Sequence, residues 1–301
     1  MGIKLGANRY GKAENRVVAV RKYPDRHEIK DLNVSVALSG DMFETHLSGG
    51  NSKVLPTDTQ KNTVFAFARK HGIGEIEEFA ILLARHFVDS QPSVHTARVA
   101  IEEYFWDRIP LPGQELGVGV AHSFLRSPTA AVRTAVVHYD GTNAYVVSGI
   151  KDLVVLNSTG SEFWGFLKDE FTTLNEAHDR ILSTAVTARW RHTDTDPSPH
   201  RTEWAKSFGE ASRHLLEAFA GTHSLSLQQT LYAMGTRILD RRPELCEVRL
   251  ALPNKHHFAV DLTPFGLDNA NEVFYAADRP YGLIEGDVLR DDAPDAGPAW
   301  E

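Results

Sequence analysis

At 301 residues the chain exceeds a typical single domain, while 42% hydrophobic and 24% charged residues are ordinary globular values. The formal net charge of −8 argues against a nucleic-acid partner, because neutralising phosphates needs a basic surface. The single cysteine, Cys246, excludes an intrachain disulfide framework and any cysteine-based zinc or iron–sulfur site. No apolar h-region follows the N-terminal charges, and no run reaches the ~18 apolar residues of a membrane span. The chain ends Pro298-Ala299-Trp300-Glu301, unlike a Ser-Lys-Leu peroxisomal address, so a cytosolic location and no membrane partner are expected.

In chain order, strand patterns cover Val17–Tyr23 and Glu28–Leu38, with a short run at Lys53–Leu55. A helix pattern follows at Lys61–Lys70. A second has apolar positions Ile76, Phe79, Ala80, Leu83 and Phe87 at steps of three and four, and Val94–Trp106 returns to strand character. The second half opens with Arg133–Tyr139, turns at Asp140-Gly141, and continues through Ala144–Val147 and Leu153–Leu156. A helix start is predicted at Ser158–Phe166. Two longer helices follow, marked by Trp204, Phe208, Ala211, Leu215 and Phe219, then by Leu227, Leu231, Met234 and Ile238. Glu247–Leu252 and Phe258–Leu262 close the half as strands.

Both halves therefore run strand hairpin, short helix, long helices, strands. That order predicts an internal duplication of an α+β unit, each with helices on one face of an antiparallel sheet. The halves are residues 1–128 and 129–289, with an acidic tail at 290–301. The polar, proline-containing stretch Arg191–Arg201 reads as a surface loop, and Asp291–Glu301 as a mobile tail.

Several polar groups stand out. Asn254 and His256 lie two apart, with Pro253 before them. Extended backbone projects such positions from one face, so the amide and the imidazole can converge on one small object. A core histidine held by the asparagine explains the pair equally well. Cys246, Val248, Leu250 and Leu252 form the apolar parity before it, which makes Cys246 a buried structural thiol. Thr57-Asp58-Thr59-Gln60 fits a capping box with Thr57 as N-cap, and unpaired N–H groups at such a helix start suit an anion or an electron-rich heterocycle. Most such boxes only cap. Thr159-Gly160-Ser161-Glu162 repeats the pattern before Phe163-Trp164-Gly165-Phe166, where an aromatic can pack on the sheet or offer its face to a flat ligand. Ser226 with Gln229 forms another box, which places Gln228 in the first turn of a helix. Arg180 and Lys12 read as solvated cations unless a planar anion gives the Arg180 fork a partner.

Other motifs are missing. There is no P-loop and no H-E-x-x-H; Gly117-Val118-Gly119 lacks the third glycine of a dinucleotide site. No histidine pair has metal-ligand spacing, and Ser123 beside His122 lacks a nucleophile elbow.

Five motifs, taken together and in order, resemble the urate oxidase (uricase) family from about Tyr10 to about Leu289. They are Tyr10-Gly11-Lys12; Thr57-Asp58 with Lys61-Asn62-Thr63; Phe163-Trp164-Gly165-Phe166 with Asp169-Glu170 and Thr172-Thr173-Leu174; Asp179-Arg180-Ile181-Leu182; and Leu252-Pro253-Asn254-Lys255-His256. The resemblance implies the tunnelling fold: two tandem α+β repeats per chain, four chains stacked into a barrel as a homotetramer, and active sites shared between neighbouring subunits. It implies oxidation of urate by O2 and water to 5-hydroxyisourate and H2O2 without metal or organic cofactor. By position, Phe163 would stack on the purine, Arg180 would hold the urate anion, and Gln228 would read the opposite edge, assisted by the Leu227 backbone N–H. Thr57 and the N–H of Asp58 would come from the neighbouring subunit. Asn254 would hold dioxygen or the attacking water, and Lys12, Thr57 and His256 would form a proton relay. Leu at position 227 departs from the family pattern without consequence, because only its backbone is used. Two rivals share the fold: a cyclohydrolase-like hydrolase of a purine or pterin, which usually anchors its ligand with a glutamate, and a catalytically dead scaffold.

Overall fold

Buried Leu32, Val34, Val36 and Leu38 alternate with more exposed neighbours along β2 (His27–Gly40), the period-two pattern of a strand with one face in a core. In the computed structural model this strand lies between β1 (Tyr10–Lys22) and β3 (Val94–Tyr104), antiparallel to both. The structure describes residues 2–110, 122–127, 129, 131–277 and 279–301; Gly117-Val118-Gly119 lies outside them. The chain divides into two compact units. One comprises Met1–Gly149, Arg191–Phe208 and Pro294–Glu301; the other comprises Ile150–Trp190 and Gly209–Ala293.

In the first unit, β4 (Trp106–Arg108) and β5 (Phe124–Arg126) pair separately, and β6 (Val132–Tyr139) runs antiparallel to β3. The sheet order there is β1-β2-β3-β6-β7, with β7 spanning Ala144–Asn157 as one continuous strand. Three helices, α1 (Phe43–Leu47), α2 (Thr57–Lys70) and α3 (Ile76–Ser90), belong to this unit. Phe79, Leu83 and Phe87 of α3 join Val64 of α2 and the inward residues of β2, β3 and β6 in one buried cluster. Arg133 on β6 ties the start of α3 to the sheet, donating to Glu75 and Glu77 at 2.6 and 2.7 Å.

The second unit has the order β7-β8-β9-β12, where β8 is Leu182–His192, β9 is Leu245–Pro253 and β12 is Leu283–Leu289. Strands β7 and β8 each contribute chain to both units. Helix α4 (Trp204–Gly221) also crosses the division, while α5 (Leu227–Arg241) packs on β9 and β12. A short ribbon pairs β10 (His256–Ala259) with β11 (Phe274–Ala277). Among the described residues no helix is long and apolar enough to cross a membrane.

Five sequence expectations need correction. The expected surface loop at Arg191–Arg201 begins two residues later, because Arg191 and His192 are the buried end of β8. Lys53–Leu55 is not a strand, and Ser158–Phe166 does not start a helix. The expected strand Phe258–Leu262 ends at Ala259, because Leu262 leads into a 3-10 turn at Thr263–Phe265. The tail is docked. Arg191 donates to the carbonyls of Pro294 and Asp295, Arg98 Nε donates to the Glu301 carbonyl at 2.9 Å, and Ala299 is buried. The apolar Ala299 and the backbone carbonyls attach this segment to the first unit.

Beneath that tail, His138 on β6 hydrogen-bonds the Glu301 backbone. Burial first, then the cations Arg98 and Arg9, depress its pKa to about 4. From pH about 6.5 down to about 4 the unfolded chain takes up a proton here that the folded chain refuses, so stability falls on acidification across that window. The urea midpoint of the wild-type protein is expected to drop more steeply between pH 6.5 and 4.5 than that of His138→Gln; parallel pH slopes would show that this histidine is not the cause.

Candidate active site

Three segments of the second unit bring expected site residues to one cavity of about 710 Å³, which Asn271, Phe274 and Ile284 also line. The first is the connection between β7 and β8, residues 158–181. Gly160 and Gly165 there have φ of 72° and 67°, conformations that interrupt a helix and that side chains with a Cβ resist. The backbone groups pair sideways instead. Glu162 N–H donates to the Ser224 carbonyl at 2.7 Å, Ser224 N–H donates to the Gly160 carbonyl at 2.9 Å, and Phe163 and Ala177 exchange hydrogen bonds at 2.7 and 2.9 Å. The Thr159 hydroxyl donates to Asp179 at 2.8 Å and so does not cap. This irregular route puts both Phe163 and Arg180 on the cavity wall.

The second segment is the start of α5. Ser226 Oγ accepts from the Gln229 N–H at 3.1 Å, the expected cap, while Gln229 Oε1 accepts from the N–H of Leu225, one residue before the N-cap, at 2.8 Å rather than from Ser226 itself. The N–H groups of Leu227 and Gln228 occupy the first two helical positions and have no intrahelical acceptor. Both residues line the cavity. The third segment joins β9 to β10. Asn254 N–H donates to the Gly282 carbonyl and Lys255 N–H to the Ser183 carbonyl, each at 2.8 Å. Asn254 and His256 then reach the same cavity, as their spacing predicts.

Arg180 dominates the electrostatics. It is partly buried, and burial pulls its pKa below the usual arginine value. Among the described residues it pairs with no carboxylate. Asp179 is engaged by Thr159 and by Asn271 Nδ2 at 3.0 Å, and Glu176 by Lys168 at 3.2 Å. Arg180 Nε instead donates to Ser161 Oγ at 3.2 Å, and its Cζ lies 5.2 Å from the centroid of Phe163. Phe163 also stacks on Phe166 at 5.0 Å and 12°. His256 stacks on Phe258 at 5.6 Å and 15°. Its pKa is held below the ordinary histidine value by burial, then by Arg180 and His257, so the imidazole is neutral at neutral pH. An uncompensated cation, two open N–H groups, an amide and a neutral imidazole around an aromatic form a receptor for a flat anion.

The remaining expected residues, Lys12, Thr57 and Asp58, belong to the first unit and do not line this cavity. Thr57 is the first residue of α2, one place later than the predicted N-cap. Pro56 occupies the cap, and its carbonyl accepts from the Gln60 N–H at 3.1 Å. Gln60 is fully buried and donates from Nε2 to the Leu55 carbonyl at 3.3 Å, so it cannot reach back to form the box. That leaves the Thr57 hydroxyl without a hydrogen-bond partner among the described residues, at an open helix start. Lys61 pairs with Asp58 and is the main reason its carboxyl lies below the usual range. Nearby, a Cβ at Gly11 would fall 1.8 Å from the Val36 carbonyl oxygen, so only glycine lets β1 lie this close to β2. The Tyr10 hydroxyl accepts from the Leu55 N–H at 2.9 Å, and Asn15 Nδ2 donates to the Lys61 carbonyl at 3.5 Å. Lys12 is thus fixed between two ties to the start of α2, close enough for its charge to act on Asp58.

Asn271 and His257 also line the cavity and were not singled out by sequence. Asn271 has φ 62°, a value asparagine tolerates, and the run Asp268-Asn269-Ala270-Asn271 signals a turn without showing what it faces. Among the described residues no three His, Cys, Asp or Glu side chains gather as metal ligands.

Fold and site define a mixed α/β protein with an antiparallel sheet and a pocket suited to a flat anion. A family model described as Uricase matches residues 8–137 and 146–285. The uricase of Arthrobacter globiformis is 48% identical over 298 residues, 99% of this chain and 94% of that protein. The uricase of Dictyostelium discoideum is 38% identical over 285 residues, 94% of this chain and 96% of that protein. The crystal structure of the Arthrobacter globiformis uricase superposes with a TM-score of 0.91, covering 100% of this chain and 99% of that one, at 48% identity. A uricase from Bacillus fastidious gives 0.78 at 26% identity, covering 96% of this chain and 95% of that one. The chain belongs to the uricase family.

An NMR titration of the His256 ring is expected to place its midpoint below ~6.5, the unperturbed histidine value. A midpoint at or above that value would mean that neither burial nor Arg180 acts on it.

Proposed function

We propose that the chain is a urate oxidase, an oxidoreductase that converts urate, O2 and water to 5-hydroxyisourate and H2O2. The observation that carries this reading is the unpaired, partly buried Arg180 beside Gln228 and the open start of α5. A purine anion supplies the charge that Arg180 lacks, and the two η nitrogens of a fork match the adjacent acceptors of a planar edge. Gln228 and the Leu227 N–H take the opposite edge. Phe163 offers a ring face to the purine, which shares or replaces the stacking by Phe166. Asn254, across the cavity wall, holds O2 or the attacking water above the ring.

No metal or organic cofactor enters this scheme. Deprotonated urate is electron-rich and passes its electrons to O2, while the protein orients the reactants and moves protons. Lys12, Thr57 and His256 are the relay. The Thr57 hydroxyl has its donor and acceptor capacity to spare, and a neutral His256 can accept a proton. Thr57 and Asp58 reach the purine's five-membered ring from a neighbouring subunit, with Lys12 travelling beside them. This arrangement needs a second copy at each cavity, and the assembly we propose is a homotetramer in which tandem tunnelling-fold repeats close into a barrel. The net charge of −8 gives no basic surface for a nucleic-acid partner, and a cytoplasmic location is part of the proposal.

The direct test follows urate loss by ultraviolet absorbance with peroxide assayed alongside, using chelator-treated protein in oxygenated buffer. Stoichiometric peroxide and full activity are expected; activity abolished by the chelator and free of peroxide would favour a metal-dependent hydrolase. A relay also predicts non-additive variants. Lys12→Met alone is expected to lose about as much kcat as the double variant with Thr57→Ala, whereas independently multiplying losses would separate the two residues.

A further inference from the structure

Arg180 can meet a planar anion through two different edges, the Nη1/Nη2 pair or the Nε/Nη pair, and the two place the bound ring differently. The choice is made by a residue that does not line the cavity. Ser161 is fully buried; its Oγ accepts Arg180 Nε–H at 3.2 Å, and its backbone carbonyl accepts the Arg180 N–H at 2.9 Å. Ser161 also bridges in parallel to Ser224, another fully buried residue. Ser224 Oγ accepts from Thr230 Oγ1 of α5 at 2.8 Å and donates to the carbonyl of Ser226, the α5 N-cap, at 3.0 Å. A backbone bridge, Glu162 N–H to the Ser224 carbonyl at 2.7 Å and Ser224 N–H to the Gly160 carbonyl at 2.9 Å, followed by the Ser224 and Thr230 hydroxyls, therefore connects the Arg180 wall with the Leu227–Gln228 wall.

We propose that Ser161 is a positioning residue that occupies Nε of Arg180, so that only the Nη pair is presented to the substrate at a fixed spacing from Gln228. The inference rests on the reading of Arg180 as the group that holds the urate anion. Alanine at 161 frees Nε–H and lets the guanidinium rotate, which weakens binding of a planar anion without removing its charge.

The test is a double-mutant cycle in kcat and KM for urate, with thermal midpoints recorded for each protein. Ser161→Ala is expected to raise KM roughly 10- to 100-fold, the worth of a hydrogen bond to a charged group, and to leave kcat within about twofold. In an Arg180→Lys background the same change is expected to add less than about twofold, because a lysine ammonium has no Nε–H to hold. Ser161→Cys keeps the volume with a weaker acceptor, and its KM is expected to rise as well should the alanine variant not fold. Equal KM effects of the position-161 change in both backgrounds would overturn the proposal and mark Ser161 as merely structural. If Arg180→Lys raises KM and neither Ser161 variant does, the inference alone fails. If Arg180→Lys itself leaves KM unchanged, the assignment of Arg180 as anion holder fails with it.

Discussion

A guanidinium taken partly out of water without a counter-charge is costly, and the second unit is arranged so that Arg180 stays in that state. The carboxylates that could quench it are committed elsewhere. Asp179 is engaged by Thr159 and Asn271, and Glu176 by Lys168. The cost is offset by Ser161 Oγ and by the Phe163 ring, both held by backbone pairing of Phe163 with Ala177 and of Glu162 with Ser224. In the proposed function that electrostatic demand is met by the urate anion, the way a preformed site turns fold stability into binding.

The first unit contains a second feature of the same kind. At the start of α2, Pro56 supplies a cap carbonyl but no side-chain acceptor, and Gln60 is buried away from the helix end. A threonine hydroxyl and unpaired N–H groups are therefore left available beside Lys12. Tyr10 and Gly11 before that lysine, and Asn15 after it, tie the Lys12 backbone along β1. At the start of α5, by contrast, Ser226 supplies a side-chain cap, and only the Leu227 and Gln228 N–H groups are left without an intrahelical acceptor.

Much of this was legible in the residues. The steps of three and four at Ile76–Phe87 and Leu227–Ile238 located α3 and α5, because those helices bury one stripe. Ser226 and Gln229 marked the α5 start correctly because a side-chain cap is a local interaction. Asn254 and His256 were placed together by strand parity. Thr57 was misplaced by one position, since a proline at the preceding residue competes for the cap and tertiary burial claims Gln60. The 158–181 segment defeated periodicity altogether: its hydrogen bonds run to Ser224 and Ala177, and partners distant in sequence leave no repeat to read. Strand β8 alternates in burial, with Thr184, Val186, Ala188 and Trp190 inside and Ala185, Thr187 and Arg189 less buried, but a polar Thr184 inside and an apolar Ala185 outside blur that alternation in the sequence. The assignment of roles to these residues came from family motifs, because no pattern of polarity distinguishes a purine receptor from a well-capped loop.

The most direct measurement is a crystal structure of the protein soaked with urate under strictly anaerobic conditions, so that the ligand binds and cannot react. The expected density shows the purine in the second unit's cavity, with the Arg180 Nη pair on one edge and Gln228 on the other. A purine bound elsewhere, or an Arg180 that keeps its place while the ligand ignores it, would contradict the account at its root.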